Sequence, residues 1–250
     1  MGLKKVGAKS VEDSPTSTTK DPAALSREMT LSAKTCLLGA RRRRLQRALR
    51  LLEGDPVFAS IGLGDLVEDG DPGELLDELP GIFRRLSSGH KVVLLTIAKL
   101  AETVEEKSLV LLDEPEAHLH PPLLSAFIRA LSDLLNNRNG MAIIATHSPV
   151  VLQEVPRSCV WKLQRSGGIL SANRPQIETF GENVGILTDE VFGLEVTATG
   201  FHKMLADVAN EFGDYESAVD AFGGQLGAEG RAIMRAMFTT VSRGWRNVGR

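Results

Sequence analysis

The sequence is poor in aromatic residues, in cysteine and in long apolar runs. Aromatic side chains make up 5% of the 250 residues, with one Tyr and two Trp, which argues against a stacking platform for single-stranded nucleic acid. Two cysteines, Cys36 and Cys159, cannot form a disulfide framework, so we expect an intracellular, cytoplasmic protein. No apolar run approaches the ~18 residues that span a bilayer, so we expect no membrane association.

Charge is distributed unevenly along the chain. Residues 1–50 contain 12 Lys and Arg against 4 Asp and Glu, although the whole chain has a net charge of −3. The basic residues are concentrated at Arg41–Arg44, which is therefore either a solvated helix face or a contact for DNA or an acidic partner. Hydrophobic residues make up 42% of the sequence, which is enough for a sizeable core.

Local patterns divide the chain into four segments. Residues 1–34 are rich in Ser, Thr, Lys and Pro without periodicity, which predicts an irregular or disordered leader. Residues 35–82 are predicted to form a basic helix from Cys36 to Leu52 and then a loop-rich acidic connector. Residues 83–175 form the central lobe, and residues 176–250 are predicted to be a helical C-terminal region.

The central lobe alternates helical patterns with short apolar runs, the order typical of a parallel α/β sheet. Each short run is uniformly apolar, as in a buried parallel strand. A hairpin is predicted after the second run, around a Gly-Gly turn. The predicted elements are the helices Lys91–Val104 and Pro121–Asn136, the strands Ser108–Leu112 and Ala142–Thr146, and the hairpin Val160–Leu163 with Ile169–Ala172.

Three motifs lie at the ends of these elements, where α/β proteins place their ligands. Ser88 and Gly89 begin an apolar helix, where unpaired N–H groups, a hydroxyl and a small residue suit phosphate. Asp113 ends the first strand and can hold Mg²⁺ through water, while Glu114, expected on the opposite side, can activate the attacking water. His147 follows the second strand, and its imidazole can bond a terminal phosphate oxygen.

These motifs resemble those of ABC-type ATPases, over a stretch from about Phe83 to Trp161. LSSGH resembles the signature loop, LVLLDE the Walker B motif, EAHLHP the D-loop, and the His of ATHSP the switch histidine. DEPEAHLHP with ATHSPVVLQEVP is similar to soluble ABC-type AAA ATPases of the recombination, overcoming-lysogenization-defect and phage-defence groups. The resemblance implies an α/β, P-loop NTPase-like parallel-sheet lobe with a helical C-terminal extension.

The resemblance also implies ligands and residue roles. ATP and Mg²⁺ would be the cofactors, with Mg²⁺ held by Asp113 through water. Glu114 would be the catalytic base, His147 the γ-phosphate sensor, and Ser87, Ser88 and Gly89 the contacts to the γ-phosphate bound on an opposing protomer. Hydrolysis would reset a nucleotide-dependent dimer in a phage-defence or DNA-repair machine, with a separate nuclease among its candidate partners.

The motifs contain one departure from the family pattern and one histidine pair with an alternative interpretation. His90 stands where the signature loop more commonly has Gln. His118 and His120 form an H-x-H pair that could bind a metal, but no third ligand is apparent nearby in the sequence, and the D-loop assignment explains both.

The sequence contains no G-x-x-x-x-G-K-[ST] motif, the P-loop that cradles nucleotide phosphates. The segment Gly2–Ser10 comes nearest, but Ala8 separates Gly7 from Lys9. We therefore expect the N-terminal phosphate-binding half to be missing and the chain alone to be inactive. Either the chain is a truncated piece, or it works as a homodimer or with a P-loop-containing protomer. The alternative function is a non-catalytic scaffold subunit with a degenerate ATPase fold.

Overall fold

The computed structural model describes residues 21–37, 39–166, 168–197 and 200–244. The Gly2–Ser10 segment and most of the predicted leader lie outside these residues. The described chain forms two compact units. The first contains residues 21–159 with 179–181, and the second contains residues 160–178 with 182–244.

Helices form most of the N-terminal part of the first unit. The predicted irregular leader (1–34) is therefore wrong from Pro22 onward, and the predicted loop-rich connector (53–82) is also wrong. Three of these helices begin with Asp followed by Pro, the N-cap and N1 residues that favour a helix start. The Asp71 carboxylate, for example, accepts hydrogen bonds from Gly73 N at 2.7 Å and Glu74 N at 3.1 Å. The helices are α1 (Pro22–Cys36), α2 (Ala40–Leu52), α3 (Pro56–Ile61), α4 (Leu63–Asp69) and α5 (Pro72–Arg85).

The helix predicted from Cys36 to Leu52 is divided between α1 and α2. Gly39 lies between them with a φ of 69°, a left-handed value that an α-helix does not continue through. Its position before Ala40 makes it the N-cap of α2. The basic residues at Arg41–Arg44 therefore lie in the first turns of a new helix.

The predicted helix–strand–helix–strand order is confirmed in the rest of the first unit. The two strands pair in parallel, with Asp113 opposite Ala145 at their carboxyl ends. The result is a mixed α/β arrangement with a small parallel sheet and many helices, consistent with an AAA or P-loop-like fold. The elements are α6 (Ser88–Thr103), β1 (Leu109–Asp113), α7 (Pro121–Asn136), β2 (Met141–Ala145) and α8 (Pro149–Gln153).

One hydrophobic core joins the front helices to α6 and α7. Phe58 of α3 and Phe83 of α5 are almost completely buried in the same cluster as Ile97 of α6 and Ile128 of α7. The predicted boundary at residue 83 is therefore not a structural boundary, because the helices before it share the core of the lobe after it.

The two faces of the parallel sheet differ in burial. On the inner face, Val110, Leu112, Ala142 and Ile144 pack against the helical core. On the outer face the apolar side chains are exposed, and the prediction of buried strands is wrong there. The exposed fractions are Leu109 39%, Leu111 69%, Met141 60% and Ile143 58%.

Two of the four clustered arginines on α2 serve the fold. Arg42 donates from Nε to Val67 O at 2.8 Å and from Nη2 to Gly70 O at 3.1 Å, at the end of α4. Arg44 donates from Nη1 to Ala101 O at 3.1 Å and to Val104 O at 2.7 Å, at the end of α6. These guanidinium groups satisfy helix-terminal carbonyls. Arg41 and Arg43 are exposed.

The second unit contains the predicted hairpin and the predicted C-terminal helices. The hairpin strands β3 (Lys162–Ser166) and β4 (Ile169–Asn173) pair antiparallel. A small core centred on Leu205, Ala218 and Met234 joins three of the helices. No helix among the described residues is long and apolar enough to cross a membrane. The helices are α9 (Val184–Thr197), α10 (Gly200–Glu211), α11 (Tyr215–Asp220) and α12 (Ala228–Gly244).

Candidate functional site

The carboxyl ends of β1 and β2 bring predicted site residues together. Because the strands are parallel and in register, the residues that follow them lie at one edge of the sheet. His147 Nε2 lies 3.6 Å from Glu114 Oε1, and the two side chains are 80% and 59% exposed. Asp113 is also exposed, on the outer face of the sheet. The edge therefore presents two carboxylates and an imidazole to solvent.

Glu114 leaves the strand through an unusual backbone conformation. Its N–H donates to Ala145 O at 2.8 Å, which extends the pairing by one bond. Its φ is +42°, a value uncommon for a residue with a side chain. The alternation of side chains between the two faces of a strand therefore does not extend to Glu114. Its side chain approaches His147 and does not take the opposite side that the sequence predicts.

Glu116 fastens the two strand ends to each other. Its Oε1 accepts a hydrogen bond from Thr146 Oγ1 at 2.6 Å and another from His147 N at 2.8 Å. Ser148 N donates to Thr146 Oγ1 at 2.9 Å, which fixes the start of α8. Glu116 is a site residue that the sequence motifs did not predict, and its place two residues after Glu114 is the one local signal for it.

The predicted phosphate-contacting residues lie at the N-terminus of α6. Ser87 is the N-cap, and both Ser87 and Ser88 are exposed. Gly89 is buried, and a Cβ placed on it would lie 2.8 Å from His118 O and 3.1 Å from Leu119 Cδ2. Gly89 was predicted to allow close approach of a phosphate. In the structure the loop containing residues 114–120 approaches Gly89 closely, and the phosphate contact stays a prediction.

A buried polar cluster lies beside this contact. Asp55, which is completely buried, accepts a hydrogen bond from His90 Nε2 at 3.0 Å and lies 3.4 Å from His120 Nε2. His90 Nδ1 is 2.7 Å from Ser87 Oγ. His118, with a φ of 66°, is exposed and outside the cluster. The H-x-H pair therefore does not act as a unit, and Asp55 was missed because it is distant in sequence.

The residues at the strand ends fit the ligands predicted for them. Exposed carboxylates are the protein ligands that Mg²⁺ uses together with water and phosphate oxygens, and Asp113 supplies one at the sheet edge. His147 supplies a neighbouring nitrogen that can donate to phosphate. The structure brings Glu114 to His147, whereas Gly89 meets the 114–120 loop at His118.

Comparison with known proteins finds a family match and a phage relative. Residues 43–153 match the family described as "AAA domain, putative AbiEii toxin, Type IV TA system". Protein ea59 of Escherichia phage lambda is 56% identical over 168 residues, which is 67% of this chain and 32% of that protein. The chain thus spans about a third of the length of this relative. The family match begins at residue 43, well before the Phe83–Trp161 stretch, and supports an AAA-type ATPase domain in the first unit.

Proposed function

We propose that this chain supplies the Walker B and signature part of a soluble ABC-type AAA ATPase. The supporting observation is the arrangement at the sheet edge, where Glu114 and His147 lie 3.6 Å apart and Asp113, the residue before Glu114, ends β1. Phosphoryl transfer to water requires a general base, a hydrogen-bond donor to the γ-phosphate and a metal-binding carboxylate, and this edge of the sheet offers all three.

In this proposal each residue at the strand ends has one task. Asp113 holds Mg²⁺ through water, and the ion supplies charge neutralisation for the phosphates of ATP when bound. Glu114 accepts a proton from the attacking water. His147 donates a hydrogen bond to the γ-phosphate, and its contact with Glu114 keeps base and donor facing the same place. Glu116 maintains that geometry because it bonds to Thr146 and to the backbone of His147.

The N-terminus of α6 would act on the ATP of an opposing protomer. Ser88 offers an exposed hydroxyl at a helix N-terminus, where the helix dipole favours negative charge. The Ser87 hydroxyl is held by His90. Gly89 allows the 114–120 loop to pack against the helix, so contacts made by Ser87 and Ser88 would be coupled mechanically to that loop.

A P-loop-containing segment would complete the nucleotide site, either within a longer protein or in a second protomer. The exposed apolar face of β1 and β2 supports this part of the proposal, because parallel sheets are covered on both faces in folded proteins. The length of the phage relative is compatible with such a segment, since this chain spans 32% of it. Nucleotide-dependent dimerisation would then assemble the site.

We also propose a biological setting for this ATPase. The motif resemblance supports a role in a phage-defence or DNA-repair machine, with DNA and a separate nuclease as candidate partners. The alternative is a non-catalytic scaffold. The absence of a P-loop motif from the sequence favours the scaffold for the chain alone, whereas the intact group Asp113, Glu114 and His147 favours ATP hydrolysis.

Phosphate release from ATP tests the proposal. The chain would be assayed alone and after co-expression with the P-loop-containing segment or protein encoded next to it. We expect background rates for the chain alone and turnover for the assembly. Glu114→Gln should reduce that turnover by about 100-fold or more, since general-base catalysis contributes 10²–10⁴-fold, while leaving ATP binding intact.

His118→Asn provides a matched control in the same loop, because the His118 side chain is exposed and has no part in the proposed site; it should retain full turnover. An assembly with equal turnover in the wild type and in Glu114→Gln would overturn the catalytic assignment. Glu114-dependent turnover by the chain alone would overturn the requirement for a P-loop partner. Assembly without any ATP turnover would favour the scaffold.

A further inference from the structure

We propose that Asp55, His90 and His120 form a Zn²⁺ site that joins the N-terminus of α6 to the start of α7. The three residues come from separate elements: Asp55 precedes α3, His90 lies in the first turn of α6, and His120 precedes α7. One ligand atom from each lies within 4.8 Å of the other two. His90 belongs to the LSSGH loop and His120 to the EAHLHP loop, but none of the three residues is proposed to contact nucleotide or Mg²⁺, so Zn²⁺ binding can be measured without ATPase activity.

The buried carboxylate is the first observation that points to a cation. Asp55 is 0% exposed, and its Oδ1 accepts from Val57 N at 3.0 Å, Phe58 N at 3.2 Å and His90 Nε2 at 3.0 Å. Its Oδ2 is buried and makes no hydrogen bond among the described residues, although His120 Nε2 lies 3.4 Å from it. A buried carboxylate with an unpaired oxygen is costly unless a cation compensates it. A divalent ion bound to Oδ2 supplies that compensation.

The neighbouring atoms have the chemistry and spacing that Zn²⁺ uses. His120 Nε2 lies 3.4 Å from Oδ2, the oxygen proposed to bind the ion, and His90 Nε2 lies 3.0 Å from Oδ1, the other oxygen of the same carboxylate. Ligands at 2.0–2.2 Å in a tetrahedral site are separated by roughly 3.3 Å. Two histidine nitrogens and one carboxylate leave a fourth position for water. The His120 side chain is 48% exposed, which gives the ion and this water a route from solvent.

The surroundings of the two histidines are compatible with metal binding. With Nε2 on the metal, His90 Nδ1–H donates to Ser87 Oγ, at the observed 2.7 Å; such outer bonds orient metal-binding histidines. His120 Nδ1 currently accepts from Leu123 N at 3.4 Å. Metal binding would replace this long contact, because Nδ1 would then be protonated. The ion would thereby fix Ser87 relative to the 114–120 loop.

Zn²⁺ titration of the chelator-treated full chain tests the site, with calorimetry for affinity and the visible spectrum of bound Co²⁺ for geometry. We expect one tightly bound ion with a tetrahedral Co²⁺ spectrum and a raised Tm. His90→Gln and His120→Asn should each weaken binding by about 100-fold or more, because even outer-shell changes cost 10–100-fold. Asn at position 120 keeps the N-cap of α7, so this variant should fold.

Two control variants separate this site from other histidine sites. His118→Asn removes the exposed member of the H-x-H pair, and Glu114→Gln removes the carboxylate beside His147; both should bind Zn²⁺ like the wild type. Far-UV circular dichroism without metal establishes that each variant is folded. Absence of tight binding by the wild type, or equal affinity in wild type, His90→Gln and His120→Asn, would overturn the proposal. Loss of binding in either control would also overturn it.

Discussion

Gly89 is the position where a single methyl group should reveal the packing of α6 against the 114–120 loop. An added Cβ would lie 2.8 Å from His118 O and 3.1 Å from Leu119 Cδ2. Neither neighbour can move freely, because His118 O is backbone and Leu119 is packed against the core. Overpacking of this kind costs about 1–3 kcal/mol. We expect Gly89→Ala to lower the free energy of unfolding by that amount.

Gly81 in α5 provides the matched control for this prediction. A Cβ at Gly81 would have nothing within 4 Å, so Gly81→Ala should stabilise the chain by about 0.5–1 kcal/mol through helix propensity and reduced chain entropy. Urea denaturation followed by circular dichroism measures both variants. The two substitutions should shift the midpoint in opposite directions. Equal stabilisation by both would refute the close contact between Gly89 and His118.

Two further predictions concern helices α1 and α2. Burial raises the pKa of the Cys36 thiol to about 11, so at pH 8 about one molecule in a thousand has the reactive thiolate. An alkylating reagent should therefore modify exposed Cys159 and leave Cys36 unmodified in the native chain, and mass spectrometry can locate the label. Arg44→Ala should lower the free energy of unfolding by about 1–3 kcal/mol, because it leaves the carbonyls at the end of α6 without their charged donor. Arg43 is exposed, so Arg43→Ala should change the urea midpoint little. Equal effects of the two variants would contradict the capping role of Arg44.

Much of the central lobe could be predicted from the sequence because its signals are local. Pro121–Asn136 has an apolar periodicity and a proline start, and the helix in the structure has the same bounds. The two short apolar runs predict strands, and their order along the chain predicts parallel pairing. Once the strands are parallel, the residues that follow them must lie at one sheet edge, but the 3.6 Å approach of Glu114 to His147 also depends on the positive φ of Glu114, which the sequence does not predict.

The wrong secondary-structure predictions lie in segments whose composition is typical of a loop but whose capping residues begin helices. The acidic, glycine-containing segment 53–82 was predicted as a loop, yet Asp55-Pro56 and Asp71-Pro72 are helix-start signals. Long-range features gave no local signal. The meeting of Asp55 with His90 depends on how α3 packs against α6, and burial on each side of a strand depends on what covers it.

The sheet also has a consequence for the behaviour of the chain in solution. Leu111 and Ile143 stand at paired positions in the middle of β1 and β2, and both are more than half exposed. An exposed apolar surface on a small parallel sheet is a site of self-association, since it can stack on a second copy of itself. At high concentration the chain should therefore associate through this face, and charged residues introduced at Leu111 and Ile143 should keep it monodisperse.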